Sequence, residues 1–295
     1  MKNIGFVGLG VMGYPMAINI IKKTGKNVIG FDLVEEKRAN FKEKGGISVE
    51  NPEEVYRNCD VIFLCLPTNE LVKSTIESVI NTSSNGTIII DMSSTNPTII
   101  KELYLKAKNK GMHLLDSPVS GGEALAITGE LAIMVGGDRE IFEKVKELLM
   151  SIGKSVTYVG PSGSGDIAKL ANNIIVAGYL GAFSEGFAFA VKAGMDPELL
   201  YKAIKDGAAG CVMLDQKMPK IYNRDFTPGA RIAVHQKDLK NAAELAQKLN
   251  VELPITDMVL GYMKDLEADG KADEDQGALI KVYEKKMKVL VKKHN

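Results

Sequence analysis

The chain has 295 residues, of which 45% are hydrophobic and 25% charged, and its 37 basic side chains balance 37 acidic ones. This composition is typical of a globular protein with one or two domains. The zero net charge argues against nucleic acid or an anionic membrane surface as a partner, because both attract proteins by bulk electrostatics.

Sequence features of secretion, membrane insertion and metal binding are sparse. The three cysteines, Cys59, Cys65 and Cys211, have neither the spacing of a metal site nor the number of a disulfide framework. A glycine-rich stretch begins at residue 5, which leaves no room for a signal or transit peptide. No apolar run reaches the roughly 18 residues of a membrane span. We therefore expect a cytoplasmic protein that binds no metal.

The first half alternates strand-like and helix-like segments. The run CDVIFLCLP is so apolar that both of its faces must be covered, as in a parallel sheet. The pattern predicts an α/β domain with a Rossmann-type, doubly wound parallel sheet. The predicted strand segments are KNIGFV, NVIGFD, CDVIFLCLP, GTIIIDMSST, HLLDSPVSGG and ELAIMVGG, and the first predicted helices are MAINIIKKTG and residues 33–44.

The pattern changes after about residue 160. The stretch VGPSGSGD indicates a hinge, and the rest is helical with no convincing strand. We therefore predict a cofactor-binding domain over 1–162 and an all-α substrate and oligomerisation domain over 163–295. The predicted helices are 166–192, which is apolar around most of its circumference, 198–206, 237–249, 255–268 and 274–292, the last a solvated terminal helix.

The segment GLGVMG, residues 8–13, follows a strand and precedes a helix, which is the context of a dinucleotide-binding fingerprint. Gly8 permits the turn, Gly10 lets the backbone approach a pyrophosphate, and Gly13 allows close helix packing. The helix then offers free N–H groups to the anion. The cofactor-binding residues predicted here are Gly8, Leu9, Gly10, Val11, Met12 and Gly13.

Asp32 ends the second predicted strand, 19 residues after Gly13. A carboxylate there accepts hydrogen bonds from ribose hydroxyls and repels a 2′-phosphate, which favours NAD over NADP. The neighbouring Lys37 and Arg38 keep NADP as the less favoured cofactor. A cap of the following helix is the structural alternative for Asp32.

Lys169 is the candidate for proton transfer. It lies one turn into the long helix, and Asn173 follows four residues later on the same face. Desolvation on an apolar helix favours the neutral amine that proton transfer needs, but a surface lysine fits the spacing equally well. Of the histidines, we expect His113 and His294 to be structural or solvated and His235 to orient its neighbours.

Two further segments end strands at the carboxyl edge, where open α/β sheets bind ligands. In DSPVSGG, after the fifth predicted strand, Ser120 with Gly121 and Gly122 offers a hydroxyl and backbone N–H groups to a carboxylate. In DMSST, Ser94 and Thr95 are placed either to contact the nicotinamide half of a cofactor or to cap the next helix.

Five motifs along the whole chain resemble the β-hydroxyacid dehydrogenase family: GFVGLGVMGYPMA, DMSST, DSPVSGGEALAITGELAIMVGG, GSGDIAKLANN and HQKDLKNA. The resemblance implies a catalytic role for Lys169, with Asn173 as its partner at the substrate. It also implies a carboxylate site at Ser120, Gly121 and Gly122, cofactor contacts from Thr95 and Lys237, and a homodimer or homotetramer. We also assign Leu66 and Pro67, after the strand VIFL, to the cofactor.

Within the family, the C-terminal half looks most like the tartronate semialdehyde reductases, and Arg231 and His235 fit that branch. Three positions depart from it. Ala230 replaces a bulky aromatic residue, Gln276 replaces a frequent histidine, and Asp166 replaces a frequent polar amide. The exact substrate is therefore left open.

We expect an NAD-dependent reduction of a small semialdehyde with a carboxylate, of the tartronate semialdehyde to glycerate type, in which Lys169 protonates the oxygen. The alternatives are a 3-hydroxyisobutyrate dehydrogenase, a 2-(hydroxymethyl)glutarate dehydrogenase, or a glyoxylate or succinic semialdehyde reductase. A dinucleotide-sensing module without chemistry is the remote alternative.

Overall fold

The structure of the protein, a computed structural model, describes residues 3–294. The chain divides into two compact units, Met1–Lys169 and Leu170–Asn295. The division falls within the long helix, whereas our proposed domain boundary at residues 162 and 163 precedes that helix.

The first unit is built on one mixed sheet, whose strands occur in the order β3-β2-β1-β4-β5-β6-β8-β7, with β9 paired to β8. All neighbours from β3 to β6 are parallel, and their order 3-2-1-4-5-6 is that of the complete six-stranded Rossmann sheet. The predicted α/β class is therefore confirmed. The strands are β1 (Ile4–Val7), β2 (Val28–Phe31), β3 (Ile47–Ser48), β4 (Val61–Leu64), β5 (Ile88–Asp91), β6 (His113–Asp116), β7 (Val119–Ser120), β8 (Leu131–Gly136) and β9 (Gly153–Gly160).

The far side of the sheet differs from the prediction of a wholly parallel arrangement. β8 runs antiparallel to β6 and β7, and β9 runs parallel to β8. The sequence analysis missed β3, which has two residues, and β9, whose exposed and half-buried side chains form no apolar run. The strand that ends at Asp116 is consequently the sixth and not the fifth.

Helices cover both faces of this sheet. In β4, Val61 and Phe63 join one apolar cluster, whereas Ile62 and Leu64 join the cluster on the opposite face. This alternation explains why the run VIFL is apolar at every position. The helices are α1 (Gly13–Thr24), α2 (Glu35–Glu43), α3 (Pro52–Asn58), α4 (Asn69–Thr82), α5 (Pro97–Asn109), α6 (Gly122–Thr128) and α7 (Arg139–Met150).

The second unit is helical, and among its described residues the β-type pairing is one isolated bridge between Arg231 and Asp275. The helix Val212–Tyr222 was missed, because Pro219 and its polar neighbours interrupt the apolar spacing. The helix predicted over 237–249 begins five residues earlier. The elements are α8 (Ser164–Lys192), which starts in the first unit, α9 (Pro197–Ile204), α10 (Val212–Tyr222), α11 (Ile232–Leu249), α12 (Pro254–Ala268), a 3-10 turn (Gln276–Leu279) and α13 (Ile280–Met287).

The lysine-rich C-terminus differs from the predicted solvated helix. α13 ends at Met287, and Lys288 takes a left-handed backbone conformation with φ 50°. Val291 then lies fully buried in the apolar cluster of the second unit. Residues 288–294 therefore leave the helical path and contact the core through Val291.

Helix α8 corrects our expectation that no stretch has the length and apolarity of a membrane span. Its best window of 18 residues has a mean hydropathy of 1.7, which is apolar enough by composition. The sequence analysis looked for an unbroken apolar run, and Glu185 interrupts one without lowering the average far enough. A single such helix is weak support for a membrane span, since core helices of globular proteins have the same composition.

Candidate active site

The structure gives a different reason for glycine at each of the three positions of the fingerprint. Gly8 has φ +95°, and a Cβ there would lie 2.2 Å from the Cys65 carbonyl oxygen. A Cβ on Gly13 would lie 1.9 Å from the Gly8 carbonyl oxygen. A Cβ on Gly10 would meet nothing within 4 Å. Gly8 and Gly13 are thus required by the fold, whereas Gly10 borders open space, as the close approach of a pyrophosphate needs.

The start of α1 fits an anion. No described side chain caps its first turn, and no acidic residue lies in that turn. This turn and the positive end of the helix dipole favour a phosphate. Of the intervening residues, Leu9 is buried, Met12 half-buried and Val11 exposed.

The Asp32 carboxylate is fixed beside the glycine turn. Its Oδ2 accepts a hydrogen bond from the Leu9 amide at 2.9 Å, and its Oδ1 accepts one from the Val34 amide at 2.9 Å. The Lys37 ammonium lies 3.5 Å from Oδ1. The Arg38 guanidinium instead donates to the Asp32 carbonyl at 2.7 Å. These contacts hold a carboxylate at the end of β2, where the ribose of a dinucleotide lies in this type of sheet.

A cavity of about 320 Å³ opens beside this turn. The glycine turn, α1 and α2 supply its walls, so the cavity adjoins Gly10 and the start of α1. The residues present therefore fit a dinucleotide. The lining residues are Leu9, Gly10, Val11, Tyr14, Lys37, Asn40, Glu43 and Lys44.

The loops after β4 and β5 carry three more of the residues assigned to the cofactor, Leu66, Pro67 and Thr95. The Leu66 amide donates to Ser93 Oγ at 2.9 Å, and Pro67 is exposed. Thr95 is 1% exposed, and its hydroxyl donates to Asp91 Oδ2 at 2.7 Å. The Thr95 hydroxyl is therefore engaged by a buried carboxylate, a contact that the sequence analysis did not anticipate.

The predicted carboxylate site forms a turn between β7 and α6. Ser120 ends β7 and is half-buried. Gly121 and Gly122 have φ +138° and +72°, backbone conformations that favour glycine. α6 begins at Gly122, so the turn presents a hydroxyl next to the N–H groups at a helix start.

Lys169 lies in the second turn of α8 and is half-buried. The first turn of α8 is bound to strand β6, since the Asp116 carboxylate accepts hydrogen bonds from the Gly163 and Asp166 amides. Lys169, Ser120 and Thr95 all belong to the first unit.

Asn173, His235 and Lys237 lie together in the second unit. Asn173 Nδ2 donates to Asp238 Oδ2 at 2.6 Å, and the Lys237 ammonium lies 3.2 Å from Asp238 Oδ1. His235 Nε2 lies 3.0 Å from the Asn173 carbonyl oxygen, which links α11 to α8 at this point. The sequence analysis missed Asp238, although it stands beside Lys237 in the motif HQKDL.

Arg231 is exposed. Its guanidinium pairs with the exposed Asp273 at 3.0 Å. Ala230 and Gln276, two positions that depart from the reductase pattern, are hydrogen-bonded neighbours. The backbone N–H of Gln276 donates to the Ala230 carbonyl oxygen at 2.8 Å. The two positions at which this chain differs from the reductase pattern therefore lie side by side in the fold.

Comparison with known proteins decides the family. The family model described as the NAD binding domain of 6-phosphogluconate dehydrogenase matches residues 3–160. The model described as NAD-binding of NADP-dependent 3-hydroxyisobutyrate dehydrogenase matches residues 163–283. The chain belongs to the β-hydroxyacid dehydrogenase family. The resemblance inferred from the motifs is confirmed.

Several members of the family are similar over nearly the whole chain. The 2-hydroxy-3-oxopropionate reductase of Escherichia coli (strain K12) is 38% identical, with 95% of this chain and 97% of that protein covered. The 2-(hydroxymethyl)glutarate dehydrogenase of Eubacterium barkeri is 37% identical, with 95% and 94% covered. The structure of Mycobacterium tuberculosis 3-hydroxyisobutyrate dehydrogenase with L-serine has a TM-score of 0.88 and 30% identity, with 96% and 99% covered.

Membership settles the coarse activity. The protein is an oxidoreductase of β-hydroxy acids that uses a nicotinamide dinucleotide, which sets aside a sensing module without chemistry. The relatives of 37% and 38% identity have different named substrates, so they do not decide the substrate of this β-hydroxyacid dehydrogenase.

Proposed function

We propose that the protein reduces a small semialdehyde that carries a carboxylate, of the tartronate semialdehyde type, with NADH as cofactor and Lys169 as proton donor. One observation supports this most directly. Lys169 is half-buried on a helix whose first turn is hydrogen-bonded to β6, the strand that leads to Ser120. The candidate proton donor and the candidate carboxylate site are thus carried by directly connected elements.

The chain's own residues divide the work as follows. Ser120 and the N–H groups at Gly121 and Gly122 hold the substrate carboxylate, which orients the aldehyde. When bound, the nicotinamide supplies a hydride to the aldehyde carbon. Lys169 gives a proton from Nζ to the aldehyde oxygen, so that the product is an alcohol. In the oxidative direction, neutral Lys169 takes the hydroxyl proton.

Other roles rest on the resemblance. We assign Asn173 and Arg231 to the substrate. We assign Thr95, Leu66, Pro67 and Lys237 to the cofactor. The domain roles, cofactor binding over 1–162 and substrate binding with oligomerisation over 163–295, are part of the same proposal.

The preference for NAD over NADP rests on Asp32. Its carboxylate is held beside the glycine turn by the Leu9 and Val34 amides. A 2′-phosphate near this carboxylate would bring like charges together, and Arg38, the cation best suited to bind it, is turned to the Asp32 carbonyl.

A 2-(hydroxymethyl)glutarate dehydrogenase is the second candidate. The observation that favours it is the pair Ala230 and Gln276, which contact each other where the reductase branch has larger or different side chains. A small residue at 230 leaves room for a longer dicarboxylate.

We further propose a cytoplasmic homo-oligomer. In the second unit, α8 exposes large apolar side chains: Phe189 is 67% exposed and Ile175 is 53% exposed. A second copy of the chain is the occupant that we propose for this face, because an exposed apolar stripe on a helix is typical of an interface.

Initial rates test the proposed function. NADH and NADPH are each supplied with tartronate semialdehyde, methylmalonate semialdehyde, succinic semialdehyde and glyoxylate, and NAD with 2-(hydroxymethyl)glutarate. We expect the highest kcat/KM with NADH and tartronate semialdehyde. A higher value with 2-(hydroxymethyl)glutarate would favour the second candidate, and no turnover with any of these acids would contradict both.

A further inference from the structure

We propose that Asp116 and Asp166 are positioning residues, which set the place of the Lys169 amine by fixing the first turn of α8. This inference rests on the proposed role of Lys169 and deepens it. The network involved also contains Asp91, and all three carboxyl side chains belong to residues that are at most 1% exposed. Three buried carboxylates in one unit need hydrogen-bond partners, and their partners show what the network holds.

Asp116 acts as a helix cap that is supplied from a distant part of the chain. Its Oδ1 accepts a hydrogen bond from the Gly163 amide at 2.8 Å, and its Oδ2 accepts one from the Asp166 amide at 3.1 Å. The first N–H groups of a helix lack intrahelical partners, and a carboxylate at this end also complements the helix dipole. One carboxylate from β6 therefore binds the start of α8 at two points.

Asp166 ties the same turn to a second strand end. Its Oδ1 accepts a hydrogen bond from the Thr95 amide at 2.9 Å. The Thr95 hydroxyl donates to Asp91 Oδ2 at 2.7 Å, and Asp91 Oδ1 accepts from the Ser93 amide at 3.0 Å. The chain of hydrogen bonds thus runs from β5 through Thr95 to α8.

Backbone packing leaves the helix start little freedom. A Cβ on Gly165 would lie 2.4 Å from the Asp116 carbonyl oxygen and 2.5 Å from the Met134 carbonyl oxygen. The first turn of α8 therefore lies directly on β6 and β8. Close contact prevents the helix from moving toward the sheet, and the two carboxylates prevent it from turning or sliding along it.

The anchored turn determines where Lys169 is presented. Lys169 follows Asp166 by three residues, and each residue of an α-helix adds about 100° of rotation and 1.5 Å of rise. A slip by one residue at the first turn would therefore move the amine to another face. Ser120 follows Asp116 by four residues, and Thr95 is bonded to Asp166, so the network connects the elements that carry Lys169, Ser120 and Thr95.

Two variants of one residue separate the hydrogen bond from the charge. Asp166→Ala removes the acceptor of the Thr95 amide, and we expect kcat to fall about 10- to 100-fold through misplacement of the amine. Asp166→Asn keeps a carbonyl acceptor, and we expect kcat within about 3-fold of the wild type. The dissociation constant of NADH, measured by fluorescence titration, should change less than about 2-fold in both variants if the loss is confined to the reacting geometry.

A double-variant cycle shows whether the effect passes through Lys169. We expect Asp166→Ala to lower kcat in the wild-type background and to add no further loss in a Lys169→Ala background. The alkaline limb of the kcat profile against pH should also move in Asp166→Ala. A residue that merely supports the fold would lower kcat by the same factor in both backgrounds.

The matched control is Asp138→Ala. Asp138 also precedes a helix of the first unit, α7, and accepts a hydrogen bond from the Tyr104 hydroxyl at 2.7 Å. We expect it to lower the thermal unfolding midpoint and to leave kcat unchanged. For Asp116→Asn, kcat and the NADH dissociation constant are measured as for the Asp166 variants. If Asp116→Asn does not fold, the Asp166 variants alone test the positioning role.

The outcomes separate this inference from the proposed function. Full turnover in Lys169→Ala would overturn both. A collapse of turnover in Lys169→Ala, with normal kcat and an unchanged pH profile in Asp166→Ala, would overturn the positioning role alone. Failure of Asp166→Asn to restore kcat, or equal losses in both backgrounds, would also overturn it.

Discussion

Lys217 and Asp275 form a buried ion pair in the second unit, with the Lys217 ammonium 2.8 Å from both carboxylate oxygens of Asp275. Asp275 also accepts hydrogen bonds from the backbone amides of Gly229, Ala230 and Gly277. The pair therefore holds the loop that precedes α11. That loop carries Ala230, one of the positions at which the chain departs from the reductase pattern.

Removal of the lysine should destabilise the protein strongly. In Lys217→Met, the Asp275 carboxylate stays buried without its cation, and we expect a loss of about 3–5 kcal/mol in the free energy of unfolding. Urea unfolding measures it. The control is Lys202→Met, which breaks an exposed, solvent-screened pair with Glu198 and should cost far less. Equal losses in the two variants would contradict the account.

Asp116 should make the protein less stable as pH rises, which is the opposite of the usual effect of a buried, hydrogen-bonded carboxylate. Burial raises the pKa of Asp116 to about 6, against hydrogen bonds from the Gly163 and Asp166 amides that lower it. Between the ordinary value of 3.8 and this value, the folded state binds more protons than the unfolded state. The contribution of Asp116 to the free energy of unfolding therefore decreases as pH rises from about 4 to 6.

The variant Asp116→Asn tests this sign, because it removes the titration. We expect the difference in unfolding free energy between wild type and variant to change steadily over that pH range, measured by urea unfolding at several pH values. A difference that does not vary with pH would show that Asp116 titrates normally.

Asp275 should show the opposite behaviour. Burial alone would raise its pKa, but the Lys217 ammonium and the backbone amides hold the pKa below the ordinary value of 3.8. Its stabilising contribution is therefore present above that value and is lost as pH falls through the lowered pKa. In Lys217→Met, the loss of stability on acidification should begin at higher pH than in the wild type. An unchanged acid transition would argue against the pair.

Cofactor preference should depend on Asp32. In Asp32→Ser, the charge that opposes a 2′-phosphate is lost, and we expect the ratio of kcat/KM for NADH to that for NADPH to fall by about 10-fold or more. Steady-state kinetics with both cofactors measure this ratio. Glu36→Gln, which neutralises a carboxylate on α2, should leave it unchanged. An unaltered ratio in Asp32→Ser would remove Asp32 from cofactor selection.

The exposed face of α8 should determine assembly. In Phe189→Glu, a charge replaces a large apolar side chain that is 67% exposed, and we expect a shift toward monomer. Sedimentation velocity measures the mass. Leu290→Glu places the same charge on another exposed apolar position of the second unit and should not shift it. A wild-type protein that is already monomeric would contradict the proposed homo-oligomer.

The sequence was sufficient for the fold class, because its signals are local. The uniformly apolar run VIFL indicates a strand that is covered on both faces. The glycines after β1 indicate the turn, and both signals span only a few residues. The antiparallel strand β8 and the exposed strand β9 were not identified as such, because pairing direction depends on partners far along the chain. The C-terminal segment was misjudged since the burial of Val291 depends on the tertiary core and not on its lysine-rich neighbours.

The candidate site shows the same limit. The sequence identifies Lys169, Ser120 and the glycine turn by their motifs. It did not reveal that Asp116 binds the amide of Gly163, 47 residues away, or that Asp166 binds the amide of Thr95, 71 residues away. It also left Asp238 unassigned, whose bond to Asn173 spans 65 residues. Long-range hydrogen bonds of buried carboxylates leave no periodic pattern in a sequence.

The most direct test of the account is the turnover of Lys169→Ala under saturating NADH and tartronate semialdehyde. We predict that kcat falls about 10²- to 10⁴-fold, because the proton donor is lost, while the dissociation constant of NADH stays that of the wild type. A kcat equal to that of the wild type would contradict the role of Lys169 as the proton donor.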